Sequence, residues 1–591
     1  MTQIRRSQFI TTYGPGAILE GPHGPRIIPS LEHTSLFRSL VPVNFEITDS
    51  RLSKALLNGA RIVRLPSNAE LGKPEGEDIY WTKPFPQWSL CTKHSILYTE
   101  KNCPQCLGES GEQSSWDKAN REAVRFVRAC PAGHLDDVDW VYITHSNRPN
   151  SNCHPSWLRW KSTGGALRYI DIECPFCGAS INLGIAYGRE WPCSGRFPER
   201  EGNYDPYRPE NCDKKARIIQ RGASNLRITE IVSSLTIPES DTRLHRYLEM
   251  TSPFVMLRFA RISSKEDLLE GLRQLQKDGQ IQQTIVNEIE HFDEETILKA
   301  ISDVLADLPK DPLRFRNQEL AALKHAASYG RTLPPSSPGY PPQFEVIRDD
   351  VRLIQTNSGH TLRITPVNRL RVVMVQKGYQ RVPAGHIQDC DLVDVSFQHN
   401  GHLWYPGTEL FGEGIFIDVP DDSLIVYGKQ AEKWLEAWHR PDEYLSKMAF
   451  TFDRQQFYPL FVWWHTFSHR LINALAIDSG YSSAAIRERV YIDVDEKNGN
   501  ARGGILLYTS QPGGDGTLGG LIALVREFER VLQRALYNLD ACSNDPLCGE
   551  EEFGPGKHNG AACYACALVS ETSCEHRNMS LDRNLLLENL P

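Results

Sequence analysis

Cysteines are concentrated in two parts of this 591-residue chain, and their spacing constrains the fold more than any other feature. Nine of the fifteen lie within residues 91–212, and five more lie within residues 542–574. In a reducing compartment, close CxxC pairs hold metal more often than they form disulfides, and four thiolates satisfy a tetrahedral Zn²⁺. We therefore predict zinc sites in both regions. Full four-ligand coordination leaves no position for water, so we expect these sites to be structural and not catalytic.

The C-terminal group has one cysteine more than a four-ligand site needs. Its members are Cys542, Cys548, Cys563, Cys566 and Cys574. A CxxC turn presents two sulfurs to one ion, so Cys563 and Cys566 are the expected nucleus of this site. We expect Cys542 or Cys548 to be the spare cysteine, because residues 560–574 are so compact. The alternative is a set of buried free thiols, which the clustering disfavours.

Two further four-ligand sites are predicted between residues 91 and 212, each around one CxxC pair. The first set is Cys91, Cys103, Cys106 and Cys130, with His94 and His134 as alternative ligands. The second set is Cys174, Cys177, Cys193 and Cys212. Cys153 and Cys390 remain outside every predicted site. The long spacers leave open which residues join each CxxC pair.

Composition indicates a soluble globular protein of several domains. Hydrophobic residues make up 40% and charged residues 24% of the chain, as in ordinary globular proteins. No apolar run approaches the roughly 20 residues of a membrane helix, and the N-terminus lacks the apolar core of a signal peptide. We therefore expect a cytoplasmic protein with no membrane partner.

Charge is distributed unevenly along the chain. Residues 1–230 hold 29 Lys and Arg against 25 Asp and Glu, whereas the remaining residues hold 36 against 49. Nucleic acid would therefore meet the first part more readily, although a solvated mixed surface explains the same tilt.

Periodicity and punctuation predict an α+β multidomain fold. Apolar residues at helical spacing in residues 264–308 follow Ser263 or Ser264, either of which can cap a helix. The run FYPLFVWWHTFSHRLINALAI predicts a long apolar helix, followed by two strands and a helix at about 519–540. The expected segments are an N-terminal loop and strand region (1–90), a zinc-rich domain (91–240), a helical region (241–331), a proline-rich linker (332–342), a strand-rich section (343–445) and an α/β C-terminal domain with the cysteine zinc site (446–591).

No recognisable catalytic motif is present in the sequence. It contains no GxxxxGK[ST], GxSxG or HExxH pattern, so we expect no ATP hydrolysis and assign no catalytic residue. His465 and His469 lie four apart on one helix face, a spacing that can bind metal, but the glutamate of a zinc hydrolase is missing between them. We favour packing or hydrogen-bonding roles for both, with Glu488 as a candidate partner.

Two other kinds of function remain open. A metal-dependent nuclease could use His465 and His469, or the aspartates of HLDDVDW, which are Asp136, Asp137 and Asp139. We prefer a capped turn with solvated aspartates for that segment.

The segment WLRWK (157–161) could stack on single-stranded bases, although buried aromatic packing is favoured. The third possibility is a purely structural bridge without DNA contact, in which Arg159 and Lys161 have no role in DNA affinity.

Several segments carry a resemblance to known proteins. HTFSHRLINAL, GYSSAAIRERVY, GGILLYTSQPGGDGTLGGL and CYACALVSETSCEHRNMSLDR resemble the cysteine-bearing C-terminal domain that follows the motor of MrfA-type repair helicases. RRSQFITTYGPGAIL, RACPAGHLDDVDW and RGASNLRITEIVSSLTIP resemble an accessory subunit of the bacterial anti-phage DISARM systems, which has no motor of its own.

The resemblance implies a function that the residues alone do not. It implies a non-catalytic zinc-binding subunit that assembles with a separate SF2 helicase, DrmA, into a DNA-binding complex for antiviral defence. Other DISARM proteins would be further partners. It assigns no DNA-binding residue in this chain.

Overall fold

The computed structural model describes residues 4–22, 24–34, 42–74, 80–106, 120–148, 153–202, 208–237, 243–305, 312–333, 342–384, 387–446, 453–495, 500–511 and 519–591. Helices and several separate sheets occur together in these residues, which confirms the α+β class. Most of the predicted linker, residues 334–341, lies outside the described residues. Among the helices that are described, none has both the length and the apolar character needed to span a bilayer.

The strands are mostly short in the first half of the chain and longer in the second. They are β1 Ile18–Leu19, β2 Arg26–Ile27, β3 Glu46–Ile47, β4 Arg61–Arg64, β5 Lys83–Pro84, β6 Ser89–Cys91, β7 Ile96–Tyr98, β8 Arg121–Ala123, β9 Phe126–Ala129, β10 Leu135–Asp137, β11 Trp157–Ser162, β12 Ile170–Glu173, β13 Ser180–Asn182, β14 Glu190–Pro192, β15 Lys215–Gln220, β16 Ile228–Leu235, β17 Arg331–Leu333, β18 Phe344–Val346, β19 Arg352–Gln355, β20 Thr361–Gln380, β21 Val393–Asp394, β22 Phe397–His399, β23 His402–Asp418, β24 Ile486–Asp495 and β25 Asn500–Gln511.

Fifteen α-helices are described, and eight of them lie before residue 291. They are α1 Arg6–Thr11, α2 Ser50–Leu56, α3 Trp140–His145, α4 Leu183–Gly188, α5 Arg243–Leu248, α6 Thr251–Phe259, α7 Lys265–Lys277, α8 Gln283–Glu290, α9 Glu294–Leu305, α10 Pro312–Tyr329, α11 Lys429–His439, α12 Pro441–Leu445, α13 Pro459–Asp478, α14 Phe528–Leu536 and α15 Arg583–Glu588.

The chain divides into two compact units, each assembled from three chain segments. The first unit contains residues 1–47, 61–232 and 375–408, and the second contains residues 48–60, 233–374 and 409–591. Each unit thus combines segments that are distant along the chain.

In the first unit, the described residues form small antiparallel sheets. One has the strand order β10-β9-β15-β14 and another β13-β12-β11-β7-β6-β8. Residues such as Val127, Leu158 and Ile172 alternate into small apolar cores beneath these sheets. Strands of two to six residues bury little apolar surface, so the turns that join them need other support. Those turns carry the cysteines.

The helical part of the second unit follows the sequence pattern closely. Ser264 caps α7 by accepting a hydrogen bond from the backbone N–H of Asp267, one of the two cap positions predicted. Gly279, with φ of +71°, lies just after the end of α7 and adopts the left-handed conformation that glycine tolerates. Helices α5 to α9 then pack around one shared apolar core.

The predicted long apolar helix is α13, and it is buried over most of its length. It packs against the antiparallel hairpin of β24 and β25, the two strands predicted after it. A helix that is apolar on nearly all sides must be covered on nearly all sides, and here the hairpin, α14 and α15 cover it. The helix expected at 519–540 is shorter: α14 ends at Leu536, because Tyr537 is extended and Asn538 has φ of +51°.

Candidate metal centres

Five groups of side chains each bring four candidate ligand atoms within 4.8 Å of one another in the described part of the chain. Four of the groups contain only cysteine and histidine. We name them site A (Cys91, His94, Cys103, Cys106), site B (Cys130, His134, Cys193, Cys212), site C (His145, Cys153, Cys174, Cys177) and site D (Cys542, Cys548, Cys563, Cys566). Sites A to C belong to the first unit and site D to the second.

Site A forms where the β6–β7 hairpin meets the CPQC turn. Cys91 ends β6 and His94 lies in the following turn, so both point to the same end of the hairpin. The Nδ1 atom of His94 lies 3.6 Å from the Sγ atoms of Cys91 and Cys103 and 3.3 Å from that of Cys106. His94 is thus the fourth member, as one of the sequence-based alternatives proposed, and Cys130 is not.

Site B collects residues from three places that are distant in sequence. Cys130 follows β9 and His134 precedes β10, while Cys193 follows β14 and Cys212 precedes β15. The Nδ1 atom of His134 lies 3.3 Å from Cys130 Sγ and 3.5 Å from Cys193 Sγ, and Cys130 Sγ lies 4.0 Å from Cys212 Sγ. The expected grouping of Cys130 with the CPQC pair is therefore replaced, because β9 pairs with β15 in a different sheet from the one that contains β6 and β7.

Site C contains two residues that the sequence analysis did not assign. Cys174 and Cys177 form the CPFC turn between β12 and β13, as predicted, but Cys193 and Cys212 do not join them. Cys153 Sγ lies 3.6 Å from Cys174 Sγ, and His145 Nε2 lies 3.2 Å from Cys177 Sγ. The sequence offers one indication of this site: Cys153 lies among the other cysteines of residues 91–212 but is left over when they are grouped into four-ligand sites.

Site D holds four of the five C-terminal cysteines. The Sγ atoms of Cys542 and Cys563 are 3.4 Å apart, and those of Cys548 and Cys566 are 3.6 Å apart. The spare cysteine is Cys574, not Cys542 or Cys548 as expected. The reason is that the turn 542–548 folds back on the CYAC turn, whereas Cys574 lies beside α13.

The separations within sites A to D fit metal coordination better than disulfide bonding. A disulfide needs about 2.05 Å between sulfurs, and all fifteen cysteines are free. Ligands at about 2.3 Å from a tetrahedral zinc ion are separated by roughly 3.8 Å. The observed separations of 3.2 to 4.0 Å are near that value. These cysteine and histidine sets are therefore compatible with zinc.

Local hydrogen bonds favour the thiolate form of one cysteine in three of these sites. A hydrogen bond from the Cys130 thiol, aided by His134, lowers the pKa of Cys193 to about 4. A backbone hydrogen bond from Ala179 lowers the pKa of Cys177 to about 7. Burial acts in the opposite direction at Cys563, but hydrogen bonds from the Ala565 backbone and from Cys542 lower its pKa to about 7. The thiolate is the form that binds metal, so each of these three sites contains one cysteine whose metal-binding form is favoured.

His465 and His469 lie on one face of α13, as their spacing predicted, and both contact Glu488 of β24. The distances from their Nε2 atoms to Glu488 Oε1 are 2.9 Å and 3.2 Å. All three side chains are fully buried. The Sγ atom of Cys574 lies 3.2 Å from His465 Nε2, so the spare cysteine joins them as the fifth group.

The aspartates of HLDDVDW are all bonded to other groups of the protein, and two of them share Arg196. Asp136 Oδ1 lies 2.6 Å from the Nη1 atom of Arg196. Asp137 accepts a hydrogen bond of 2.8 Å from the backbone N–H of Gln87, and burial raises the pKa of its carboxyl to about 6. Asp139 caps α3. Arg196 Nη1 also lies 3.6 Å from Asp137 Oδ2, so its guanidinium occupies the place where these two carboxylates meet. Asp139 is an exposed cap, as expected, whereas Asp136 and Asp137 are partly buried and not solvated.

Comparison with known proteins supports a zinc site at site D. Residues 467–567 match the family described as the MrfA Zn-binding domain, and the match contains all four cysteines of site D. Residues 5–228 match a family described as a domain of unknown function (DUF8724), and this match contains sites A to C. A crystal structure of the DUF1998 helicase MrfA bound to DNA aligns with 34% of this chain and 22% of its own, at 10% identity and a TM-score of 0.18.

The chain thus has several cysteine-rich sites compatible with zinc, and one of them lies in a segment that matches the MrfA Zn-binding domain. Its sequence is similar to that of the DISARM protein DrmB from Bacillus paralicheniformis. The two are 27% identical over 547 residues, which cover 86% of this chain and 89% of that protein.

Proposed function

We propose that this chain is a non-catalytic, zinc-stabilised subunit of a DISARM anti-phage system, which assembles with the separate helicase DrmA and contacts DNA as part of that complex. The observation that carries the proposal is the similarity to DrmB across 86% of this chain. In this proposal sites A to D each hold one structural Zn²⁺, and the protein acts in the cytoplasm.

Two features of the chain support an accessory role. The sequence contains no P-loop, so any ATP-driven movement on DNA must come from a partner. Sites A to D each offer four protein ligands, which leaves no open position for an activated water. Such sites stabilise a fold and the surfaces that it presents.

The nuclease alternative has little support from the geometry. Arg196 already contacts both Asp136 and Asp137, and Asp139 caps α3, so the three do not present free carboxylates to one metal cation. His465 and His469 are fully buried, which prevents contact with a DNA phosphate. Catalysis by a two-metal or single-metal mechanism needs ligands that converge and a substrate that can reach them.

The assembly is tested by purifying the chain alone, DrmA alone and the two together, and by measuring DNA-stimulated ATP hydrolysis in each. We expect the chain alone to be inert and the pair to co-purify and hydrolyse ATP faster than DrmA alone. The double variant Cys563→Ser/Cys566→Ser removes two ligands of site D and should abolish the stimulation. Cys390→Ser, in a buried cysteine outside sites A to D, is the matched control and should leave it intact. DNA cleavage by the chain alone would overturn the proposal.

DNA contact through the first unit is tested on strand β11. Arg159 and Lys161 are exposed there and both pair with Glu173, while Trp157 and Trp160 are half-buried. Reversing both charges (Arg159→Glu/Lys161→Glu) is expected to lower the affinity of the intact complex for DNA and to weaken its salt dependence. A matched control is Arg273→Glu/Lys277→Glu on α7, where Arg273 is equally exposed and also ion-paired. Equal DNA affinity of the two double variants would favour the structural-bridge alternative.

A further inference from the structure

The four residues that meet beneath α13 differ from sites A to D in their chemistry. They are His465, His469, Glu488 and Cys574, and we call them site E. We propose that site E is a metal site that binds a divalent transition metal ion, with Zn²⁺ as the best fit, in closed four-ligand coordination. This inference does not depend on the DISARM role proposed above.

The candidate ligand atoms of site E come from three chain segments and converge on one point. Helix α13 supplies two Nε2 atoms from positions i and i+4, β24 supplies a carboxylate oxygen, and the segment before α15 supplies a sulfur. The known separations are 2.9 Å from His465 Nε2 to Glu488 Oε1, 3.2 Å from His469 Nε2 to the same oxygen, and 3.2 Å from His465 Nε2 to Cys574 Sγ. Bonds of about 2.0 to 2.3 Å to a tetrahedral zinc ion separate its ligands by roughly 3.3 to 3.8 Å. The observed separations are only slightly shorter than these values.

The hydrogen-bond partners of the two histidines identify the nitrogen that is available for metal. The Nδ1 atom of His465 lies 3.2 Å from the carbonyl oxygen of Ser580, and that of His469 lies 2.7 Å from the carbonyl oxygen of Ala567. A carbonyl oxygen only accepts hydrogen bonds, so both Nδ1 atoms carry the hydrogen. In the neutral ring each Nε2 then bears a lone pair.

Both lone pairs face the same carboxylate oxygen of Glu488, which also only accepts. Three electron-rich atoms in contact repel one another unless a cation lies between them. Protonating both histidines would remove the mismatch, but it would place two imidazolium ions against one carboxylate in a position without solvent exposure, which is costly. A metal ion at the convergence point satisfies all of these atoms at once.

Each candidate ligand also has a second contact that orients it. The hydroxyl of Ser468 bonds the other carboxylate oxygen of Glu488. The backbone N–H groups of His576 and Asn578 lie 3.3 Å from the Sγ atom of Cys574 and orient it, although burial and the nearby Glu488 raise the pKa of this thiol when no cation is beside it. Together with the two backbone carbonyls that hold the histidine rings, these contacts form the outer shell that metal ligands require.

The charges balance for a divalent ion. A carboxylate, a thiolate and two neutral imidazoles carry a charge of −2, so a divalent cation leaves the group neutral. This explains how four polar side chains can be buried together, three at 0% exposure and Cys574 at 7%. The mixture of nitrogen, oxygen and sulfur ligands suits Zn²⁺, and the absence of an open position makes the ion structural. Its effect would be to fix the segment around Cys574, which lies beyond the matched zinc-binding domain, to α13 and β24.

Metal content of the full-length protein tests the site. We expect Cys574→Ser to contain one metal ion per chain fewer than the wild type, measured by inductively coupled plasma mass spectrometry on matched preparations. Cys390→Ser is the control, since it also replaces one buried cysteine but lies outside sites A to E, and it should retain the wild-type content. The same metal content in both variants would overturn the proposal.

Anomalous scattering from crystals of the wild-type protein gives an answer that does not depend on how the variant folds. Data collected on either side of the zinc absorption edge should show a peak enclosed by His465 Nε2, His469 Nε2, Glu488 and Cys574 Sγ. Peaks at site D but none at site E would refute this inference while leaving the zinc-binding domain unaffected. A peak at site E without peaks at sites A to D would support this inference and contradict zinc at sites A to D.

Discussion

Glu319 on α10 is the centre of a buried ion-pair network in the second unit. Its carboxylate lies 2.6 Å from Arg51 Nη2 and 3.2 Å from Arg489 Nε, and it accepts hydrogen bonds from the Leu235 backbone and the Tyr491 hydroxyl. Burial alone would raise the pKa of Glu319, but the guanidinium groups of Arg489 and Arg51 outweigh it and lower that pKa. The group therefore stays ionised and holds two buried cations in place.

Neutralising this residue should cost far more than neutralising an exposed one. Glu319→Gln keeps the shape but leaves Arg51 and Arg489 without their counter-ion, so we expect a loss of about 3 to 5 kcal/mol in the free energy of unfolding. Urea denaturation of the full-length protein measures it. The control is Glu436→Gln, which removes an exposed pair with Arg440 and should change the free energy by less than about 0.5 kcal/mol. Equal effects of the two substitutions would contradict a central role for Glu319.

At the scale of secondary-structure elements, hydrogen bonds from Arg470 connect α13 to the CYAC turn of site D. Its guanidinium donates three hydrogen bonds to backbone carbonyls, 2.8 Å to Ala535, 2.7 Å to Tyr537 and 3.0 Å to Cys566. Two of these carbonyls lie at the C-terminal end of α14 and the third belongs to a candidate zinc ligand. Only the planar guanidinium of arginine can donate to all three carbonyl oxygens at once, so a lysine ammonium cannot replace it.

We expect Arg470→Ala to weaken zinc retention at site D about tenfold or more, in the range found for contacts that orient metal ligands. The rate of zinc transfer to a coloured chelator measures it. Arg530→Ala, which removes an exposed arginine on α14, should leave the rate unchanged. In a Cys563→Ser/Cys566→Ser background the Arg470 substitution should have no further effect on the rate. An additional effect there would mean that Arg470 acts on the other sites.

The same elements show which parts of the sites could be predicted from the sequence. The CxxC turns are local, so Cys103 lies with Cys106 and Cys563 lies with Cys566 in one candidate site each, where the spacing places them. The partners of those pairs depend on strand pairing across long spacers, such as the β9–β15 contact that takes Cys130 to site B. Nothing in the neighbourhood of Cys130 encodes that contact. Spacing did place His465 and His469 on one helix face, and it suggested Glu488, but not Cys574.

At the scale of the whole molecule, the two units are stabilised in different ways. The second has a large continuous core around α13, including Trp434, Trp463, Trp464 and Phe467. The first has several small cores under strands of mostly two to six residues, together with sites A to C. A small core contributes little net stability, whereas apparent binding energies of structural zinc reach about 10 to 16 kcal/mol in small domains. Metal is therefore expected to contribute a larger share of the stability of the first unit.

Removing metal should accordingly unfold the first unit before the second. We expect that treatment with a zinc chelator under native conditions makes residues 80–106 and 120–148 sensitive to a protease, while 459–495 remains protected by the apolar core. Limited proteolysis with mass spectrometric identification of the first cuts measures this order, and re-addition of Zn²⁺ before proteolysis should restore protection. First cuts within α13 or β24 would show that metal, and not the apolar core, is what holds the second unit together.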